Sequence, residues 1–104
     1  MLTMDINLNE ILKALSNPIR LDIMHWLKRP RQHFPPQDID PELVGISVST
    51  IQAKAGLSQS TISSYLALLS RAQLVIAYRQ GGWTYYRRNE NTIQGVKEQL
   101  QFLI

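Results

Sequence analysis

Apolar residues recur at helical spacing in four stretches of this chain and at alternating spacing in one. Leu8, Ile11, Leu12 and Leu15 form the first stripe, at i, i+3, i+4 and i+7. Asn7 precedes it as an N-cap, and Glu10 stands three residues on, as in a reciprocal capping box. Met1–Ile6 ahead of it reads as a short fraying lead. Asn17-Pro18 restarts the chain: Asn caps, and Pro takes the first helical position, where an amide would have no partner anyway. Ile19, Ile23, Trp26 and Leu27 are the expected buried side of this second helix, which ends near Lys28. His25 lies on it with no other histidine, cysteine or carboxylate cluster beside it in sequence, and reads as a partly exposed structural residue.

Two breaks divide the rest. Arg29–Val44 holds Pro30, Pro35, Pro36 and Pro41, which forbid a continuous helix or a central strand. It reads as an insertion lying on the surface, pinned by Phe34 and Ile39. Near the other end, Leu74–Gln80 and Trp83–Arg88 are strand-like runs around Gly81-Gly82. A Gly-Gly loop predicts a hairpin, because a type I′ turn needs positive φ at both positions. Trp83, Tyr85 and Arg87 share one face of the second run, and Thr84, Tyr86 and Arg88 the other. Asn91 is the expected cap of a last helix striped by Ile93, Val96, Leu100 and Leu103. Gly95 sits inside that helix at a cost of about 1 kcal/mol relative to Ala, which points to close approach of another backbone. Phe102 and Ile104 are apolar but off the stripe.

Between the breaks lies the stretch that carries function. A helix through Thr50–Ala55 stops at Gly56, Leu57 is expected to plug the corner, and Ser58 caps a second helix. Ile62, Leu66 and Leu69 are that helix's apolar face. Its opposite face, Gln59, Ser60, Ser63, Ser64 and Ala67, is small or polar and uncharged. This is the helix-turn-helix plan, whose second helix enters the roughly 12 Å major groove of B-DNA. A hairpin directly after it reads as the wing of a winged helix.

Charge supports that reading. The 104 residues carry a net charge of +3, but Leu43–Asn89 contains Lys54, Arg71, Arg79, Arg87 and Arg88 and not one of the eight carboxylates. A carboxylate-free block around the helical pair suits a polyanion. The length fits a single domain, 1–104, able to bury a core yet small enough to gain from a second subunit. No run approaches the roughly 18 apolar residues of a membrane span, and no basic-then-apolar leader opens the chain. The expected location is cytoplasmic, with no membrane partner. With two histidines and no cysteine, no nucleophile–base pair, carboxylate dyad or phosphate loop is visible. No enzyme activity, catalytic residue, cofactor or metal is expected.

LKALSNPIRLDIMHWLK, LSQSTISSYLALLSRAQLV and RQGGWTYYRRN, in that order, resemble the ArsR/SmtB family of winged helix-turn-helix repressors. The resemblance covers about Leu12–Asn89. It implies a mainly α fold with a small β-hairpin, ordered α-α-α-α-β-β-α, and a homodimer joined through the first and last helices. It also implies repression from a palindromic double-stranded operator. The dimer would then use Leu8, Ile11, Leu12, Leu15, Ile93, Val96, Leu100 and Leu103. Many members carry a Cys-x-Cys metal site where this chain has Ile46-Ser47-Val48-Ser49, and others a histidine site on the last helix, which here has none. Serine hydroxyls are poor ligands for soft or borderline metals, and Glu90 and Glu98 read as solvated. Ser64 and Ala67 stand where relatives often have Arg and Lys, Gly82 replaces a basic wing tip, and Gln52 replaces a small alanine.

The base-reading candidates are therefore Gln59, Ser60, Ser63 and Ser64, with Gln59 first because an amide can bond adenine N6 and N7 together. Candidates for the DNA backbone or the wing are Lys54, Ser58, Thr61, Arg79, Gln80, Arg87 and Arg88. Two alternatives stay open: a winged helix used as a protein-interaction module through its aromatic hairpin, and a same-fold repressor that senses an unidentified small molecule.

Overall fold

The computed structural model describes residues 6–104. In chain order its elements are α1 (Leu8–Leu15), α2 (Pro18–Lys28), α3 (Pro30–His33), β1 (Ile46–Ser47), α4 (Val48–Ala55), α5 (Gln59–Arg71), β2 (Val75–Gln80), β3 (Trp83–Arg88) and α6 (Glu90–Leu103). The α3 turn and the β1 strand were not expected from the sequence. The fraying lead at Met1–Ile6 lies outside the described residues except at Ile6, which packs against the core.

Caps set the helix starts. Asn7 Oδ1 accepts from the Glu10 amide at 3.1 Å, and Asn17 Oδ1 accepts from the amides of Ile19 and Arg20 at 2.9 and 3.1 Å. Arg20 then joins three helices. Its Nε donates to the Ala14 carbonyl at 2.6 Å and its Nη2 to the Lys13 carbonyl at 3.3 Å, while its guanidinium lies 5.1 Å from the Tyr65 ring centroid. A cation on the last carbonyls of α1 satisfies orphan acceptors and suits the helix dipole.

The core is built from Ile11, Ile23, Leu27, Ile46, Ile51, Ile62, Leu66, Leu69 and Leu74. Each such side chain removed from water contributes about 1.5–3 kcal/mol, so the apolar face Ile62, Leu66 and Leu69 anchors α5 firmly. Some expected positions differ. Leu12 is 45% exposed and Ala14 takes its place inside; Met24 joins the buried side of α2; Leu57 is exposed rather than a plug. Ile11 and Val96, expected at a dimer interface, are core residues of the protomer.

The proline-rich segment is built into the body rather than laid on it. Pro30, Phe34 and Pro41 are buried, and Ile39 is half-buried. Gln37 Nε2 donates to the carbonyls of Ile39 and Gly45, each at 2.8 Å. α3 carries His33 to within 5.1 Å, ring centroid to centroid, of His25, so His25 does have a histidine neighbour. Beyond the segment, β1 adds an edge to the hairpin. The antiparallel sheet has the order β1-β3-β2, with Ile46 opposite Tyr86 and Ser47 opposite Tyr85. Gly45 has φ +112°, and a Cβ there would collide with the Tyr86 carbonyl. Only glycine lets the two backbones meet.

Gly56, at φ +70°, ends α4 as expected. At the end of α5, Gln73 takes φ +63° and the Leu74 amide donates back to the Leu69 carbonyl at 3.0 Å, a Schellman-type stop. That stop ends α5 and lets β2 begin at Val75. The hairpin turns through Gly81 and Gly82 with φ +57° and +81°, as a type I′ turn requires. α6 is capped by Asn89, not Asn91: Asn89 Oδ1 accepts from the Thr92 amide at 3.4 Å. Among the described residues no helix is long and apolar enough to cross a membrane.

Candidate nucleic-acid interface

The N-terminus of α5 is the organising feature. Ser58 Oγ accepts from the Thr61 amide at 3.2 Å and donates to Thr61 Oγ1 at 2.8 Å, so both hydroxyls are committed to the cap. Ser60 and Ser64 are exposed, and Ser63 is half-buried. Gln59 Nε2 donates to Ser63 Oγ at 3.2 Å. That bond leaves the second Nε2 hydrogen and the amide oxygen of Gln59 free, the donor–acceptor pair that matches an adenine edge.

Across from this face stands the wing. A cleft of about 290 Å³ separates them, bordered by Gln59 and Ser63 on one side, Trp83, Thr84 and Tyr86 on the other, and Ser49 at its end. Among the described residues no cation borders it; its polar side-chain groups are hydroxyls, one amide and the Trp83 indole N–H. Burial raises the Tyr86 phenol pKa above its ordinary value, against a smaller opposing effect of Arg79, so that hydroxyl stays protonated and able to donate. Thr84 and Tyr86 are not singled out by the sequence as site residues, and Ser49 reads there only as a missing metal ligand. The alternation of β3 does place Thr84 and Tyr86 on one face, but nothing local says that this face looks toward α5.

The candidate cations lie outside this cleft, and they differ. Arg79, opposite Thr84, and Gln80, opposite Trp83, are exposed beside the turn. Arg87 is half-buried opposite Ile76, on the other face of the hairpin. Arg88 is taken: its side chain is 9% exposed and paired with Glu90 at 2.9 Å. Glu90 is thus an ion-pair partner rather than a merely solvated group. Lys54 is exposed, with its ammonium 5.2 Å from the Trp26 ring centroid, which places it toward α2. Ser47, at the position of the family's first thiolate, is the N-cap of α4. Its Oγ accepts from the Thr50 amide at 3.3 Å and lies 2.9 Å from Thr50 Oγ1.

A short helix, a glycine turn, a second helix with an uncharged reading face and a hairpin beside it define a winged helix-turn-helix, a DNA-binding class. No family model matches the chain. The sequence is 49% identical over 85 residues to the uncharacterized HTH-type transcriptional regulator YbzH of Bacillus subtilis (strain 168), covering 81% of this chain and 85% of that protein. It is 28% identical over 83 residues to ArsR2 of Halobacterium salinarum, a candidate arsenical resistance operon repressor, covering 80% of this chain and 60% of that one. The fold is similar to the solution structure of a homodimeric winged helix-turn-helix DNA-binding domain from Mycobacterium bovis, a possible ArsR-family regulator. Its TM-score is 0.64 at 27% identity, over 91% of this chain and 75% of that one. The chain belongs to the ArsR family of winged helix-turn-helix transcriptional regulators, a class without catalytic chemistry of its own.

Proposed function

We propose that this protein is a homodimeric repressor that reads a palindromic operator through α5 and grips the adjoining backbone with its wing. The observation that carries this reading is the cleft between Gln59 and Ser63 on one side and Trp83, Thr84 and Tyr86 on the other. A helix in the major groove and a wing in the neighbouring minor groove straddle one sugar–phosphate strand. The cleft offers that strand hydroxyl donors, with Arg79 and Arg87 outside it. Phosphate contacts fix register, while Gln59, Ser60, Ser63 and Ser64 read base edges. Recovering bound DNA from a random pool tests this: a palindromic consensus is the expected result, and enrichment of no sequence would defeat it.

Dimerisation is supported by apolar surface on the terminal helices. Leu12, Phe102, Leu103 and Ile104 are all exposed in the protomer, more than a lone subunit of this size should present at its ends. The Mycobacterium bovis domain is homodimeric, and the Halobacterium relative supports repression as the outcome. Sedimentation should give the mass of two chains, and removal of residues 94–104 should give monomer or insoluble protein. A soluble dimer after truncation would place the interface elsewhere. Ser47, committed to capping α4, supports regulation without the family's thiolate metal site; zinc titrated into the operator complex should leave its affinity unchanged.

A second reading rests on Tyr78 and Trp83, 46% and 55% exposed on the hairpin, as a contact surface for another protein. Salt separates the two: DNA affinity falls steeply as salt rises, whereas an apolar contact does not weaken in that way.

A further inference from the structure

The proline-rich segment, expected as a surface insertion, encloses a pocket. Phe34, Pro35, Pro36 and Pro41 form its walls, Gln37 contributes an amide, and Ile46 of β1 is its floor. Its volume is about 130 Å³. An apolar cavity of roughly 150 Å³ stays dry and admits one benzene ring, so this pocket is on the scale of a single ring. It is also preformed. Phe34 is core, and Gln37 is clamped by two hydrogen bonds of 2.8 Å each to the carbonyls of Ile39 and Gly45.

Charge and hydrogen bonding narrow the occupant further. Arg31 at the rim already donates to Glu42 Oε1 at 3.2 Å and to Asp40 Oδ1 at 3.4 Å. Two carboxylates on this one lining guanidinium more than offset its charge, which disfavours an anion. A cation would give up its hydration among prolines and a phenyl ring, with no carboxylate among the described lining residues to replace it. A neutral ligand remains. Both hydrogens of Gln37 Nε2 are used, so that amide offers only its oxygen, an acceptor. The matching ligand is an uncharged single-ring aromatic carrying a hydroxyl donor.

The pocket touches the DNA-reading machinery by one short path. Ile46 is followed by Ser47, the N-cap of α4, and pairs with Tyr86 of the wing. Gly45, whose carbonyl Gln37 holds, abuts the Tyr86 backbone with no space even for a methyl group. A ring that presses on Ile46 or Gln37 therefore shifts β1 against β3. That changes the spacing between α5 and the wing. We infer that this pocket is an effector site for a small neutral phenol-type molecule whose binding lowers operator affinity. The regulatory half of this inference rests on the operator-binding reading above; the binding half does not.

Phenol is the probe, benzoate and 2-naphthol its charged and two-ring controls. In amide-resolved NMR of the free full-length protein, phenol should shift Gln37, Gly45 and Ile46 saturably. Both controls should bind about tenfold or more weaker, the scale on which a shaped pocket rejects a misfit. Pro36→Phe, at an exposed wall position, should fill the pocket and abolish the shifts while the melting curve shows the variant folded. Saturating phenol should then weaken wild-type operator binding by about fivefold, a modest allosteric coupling, and leave Pro36→Phe operator binding unaffected. Absent or scattered shifts, equal binding of 2-naphthol, or shifts that survive in a folded Pro36→Phe protein overturn the site. Should Pro36→Phe fail to fold, the wild-type preference for phenol over the two controls decides the question alone. Localised binding with unchanged operator affinity overturns the regulatory role. The NMR arm contains no DNA, so its result is independent of whether the operator reading stands.

Discussion

Arg88 and Glu90 meet at the end of β3 in a two-pronged pair, Nε to Oε2 at 2.9 Å and Nη2 to Oε1 at 3.0 Å. The pair fastens the wing's second strand to the first turn of α6, where a carboxylate also suits the helix dipole. Arg88 is thereby engaged within the fold, although it is chemically identical to Arg79 and Arg87. The hairpin's free positive charge is reduced accordingly.

A division of labour among the arginines follows. Arg88→Ala should lower stability by about 1–2 kcal/mol through lost packing and a lost two-pronged bond, and leave the salt dependence of operator binding unchanged. The charge part of that cost is small because Glu90 is largely exposed. Arg79→Ala should leave stability within about 0.5 kcal/mol and reduce the magnitude of the slope of log K against log salt by about 2 per dimer. Urea melts and anisotropy titrations across a salt series read both quantities. Equal slope changes in the two variants would mean that Arg88 leaves Glu90 to reach phosphate.

Gln59 should govern specificity and little else. It is exposed, uncharged and pre-oriented by Ser63 at 3.2 Å. Gln59→Ala should cost on the order of 1–3 kcal/mol on the true operator and change non-specific binding hardly at all, because no counterion is released at an amide contact. Parallel titrations on operator and scrambled DNA decide it. An equal loss on both would return Gln59 to a general backbone role.

Gly45 should tolerate no side chain. Its φ of +112° is strained for any L residue, and its missing Cβ makes room for the Tyr86 carbonyl. Gly45→Ala should destabilise by about 2–4 kcal/mol, combining backbone strain with overpacking. The measurement is equilibrium unfolding in urea; a loss below the usual scatter of surface substitutions would show that β1 can detach from β3 cheaply.

Acid should weaken the fold partly through His33. Desolvation first, then the nearby His25 and Lys54, hold its imidazole pKa below the ordinary 6.5. The folded state therefore binds that proton less readily than the unfolded chain. The contribution is fully present above the unfolded value of 6.5 and is lost as pH falls through the lowered folded value. Melting temperature followed from about pH 8 down to about pH 5, across the range where histidine titrates, should fall less steeply for His33→Gln than for wild type. Identical profiles would show that His33 is no better at refusing a proton in the fold than out of it.

What the sequence determined by itself is whatever depends on a few neighbouring residues. Asn7, Asn17 and Ser58 cap their helices because a short polar side chain reaches an amide two or three positions on, whatever the rest of the chain does. Gly81-Gly82 turns the hairpin, and Ile62, Leu66 and Leu69 orient α5, for equally local reasons. Partners distant in sequence were settled only by tertiary structure. Two asparagines compete to cap α6, and Asn89 wins over Asn91 because its amide donates to the Leu74 carbonyl at 2.9 Å, closing the hairpin just as the helix begins. In sequence Ile46-Ser47 reads only as the place of a missing metal site, and it becomes a strand because Gly45 admits Tyr86. His33 joins His25 because prolines fold one turn of helix back against α2. The cleft between α5 and the wing depends on how the chain leaves the turn at Gln73, and side-chain periodicity, which fixes faces but not the angles between elements, carries no record of it.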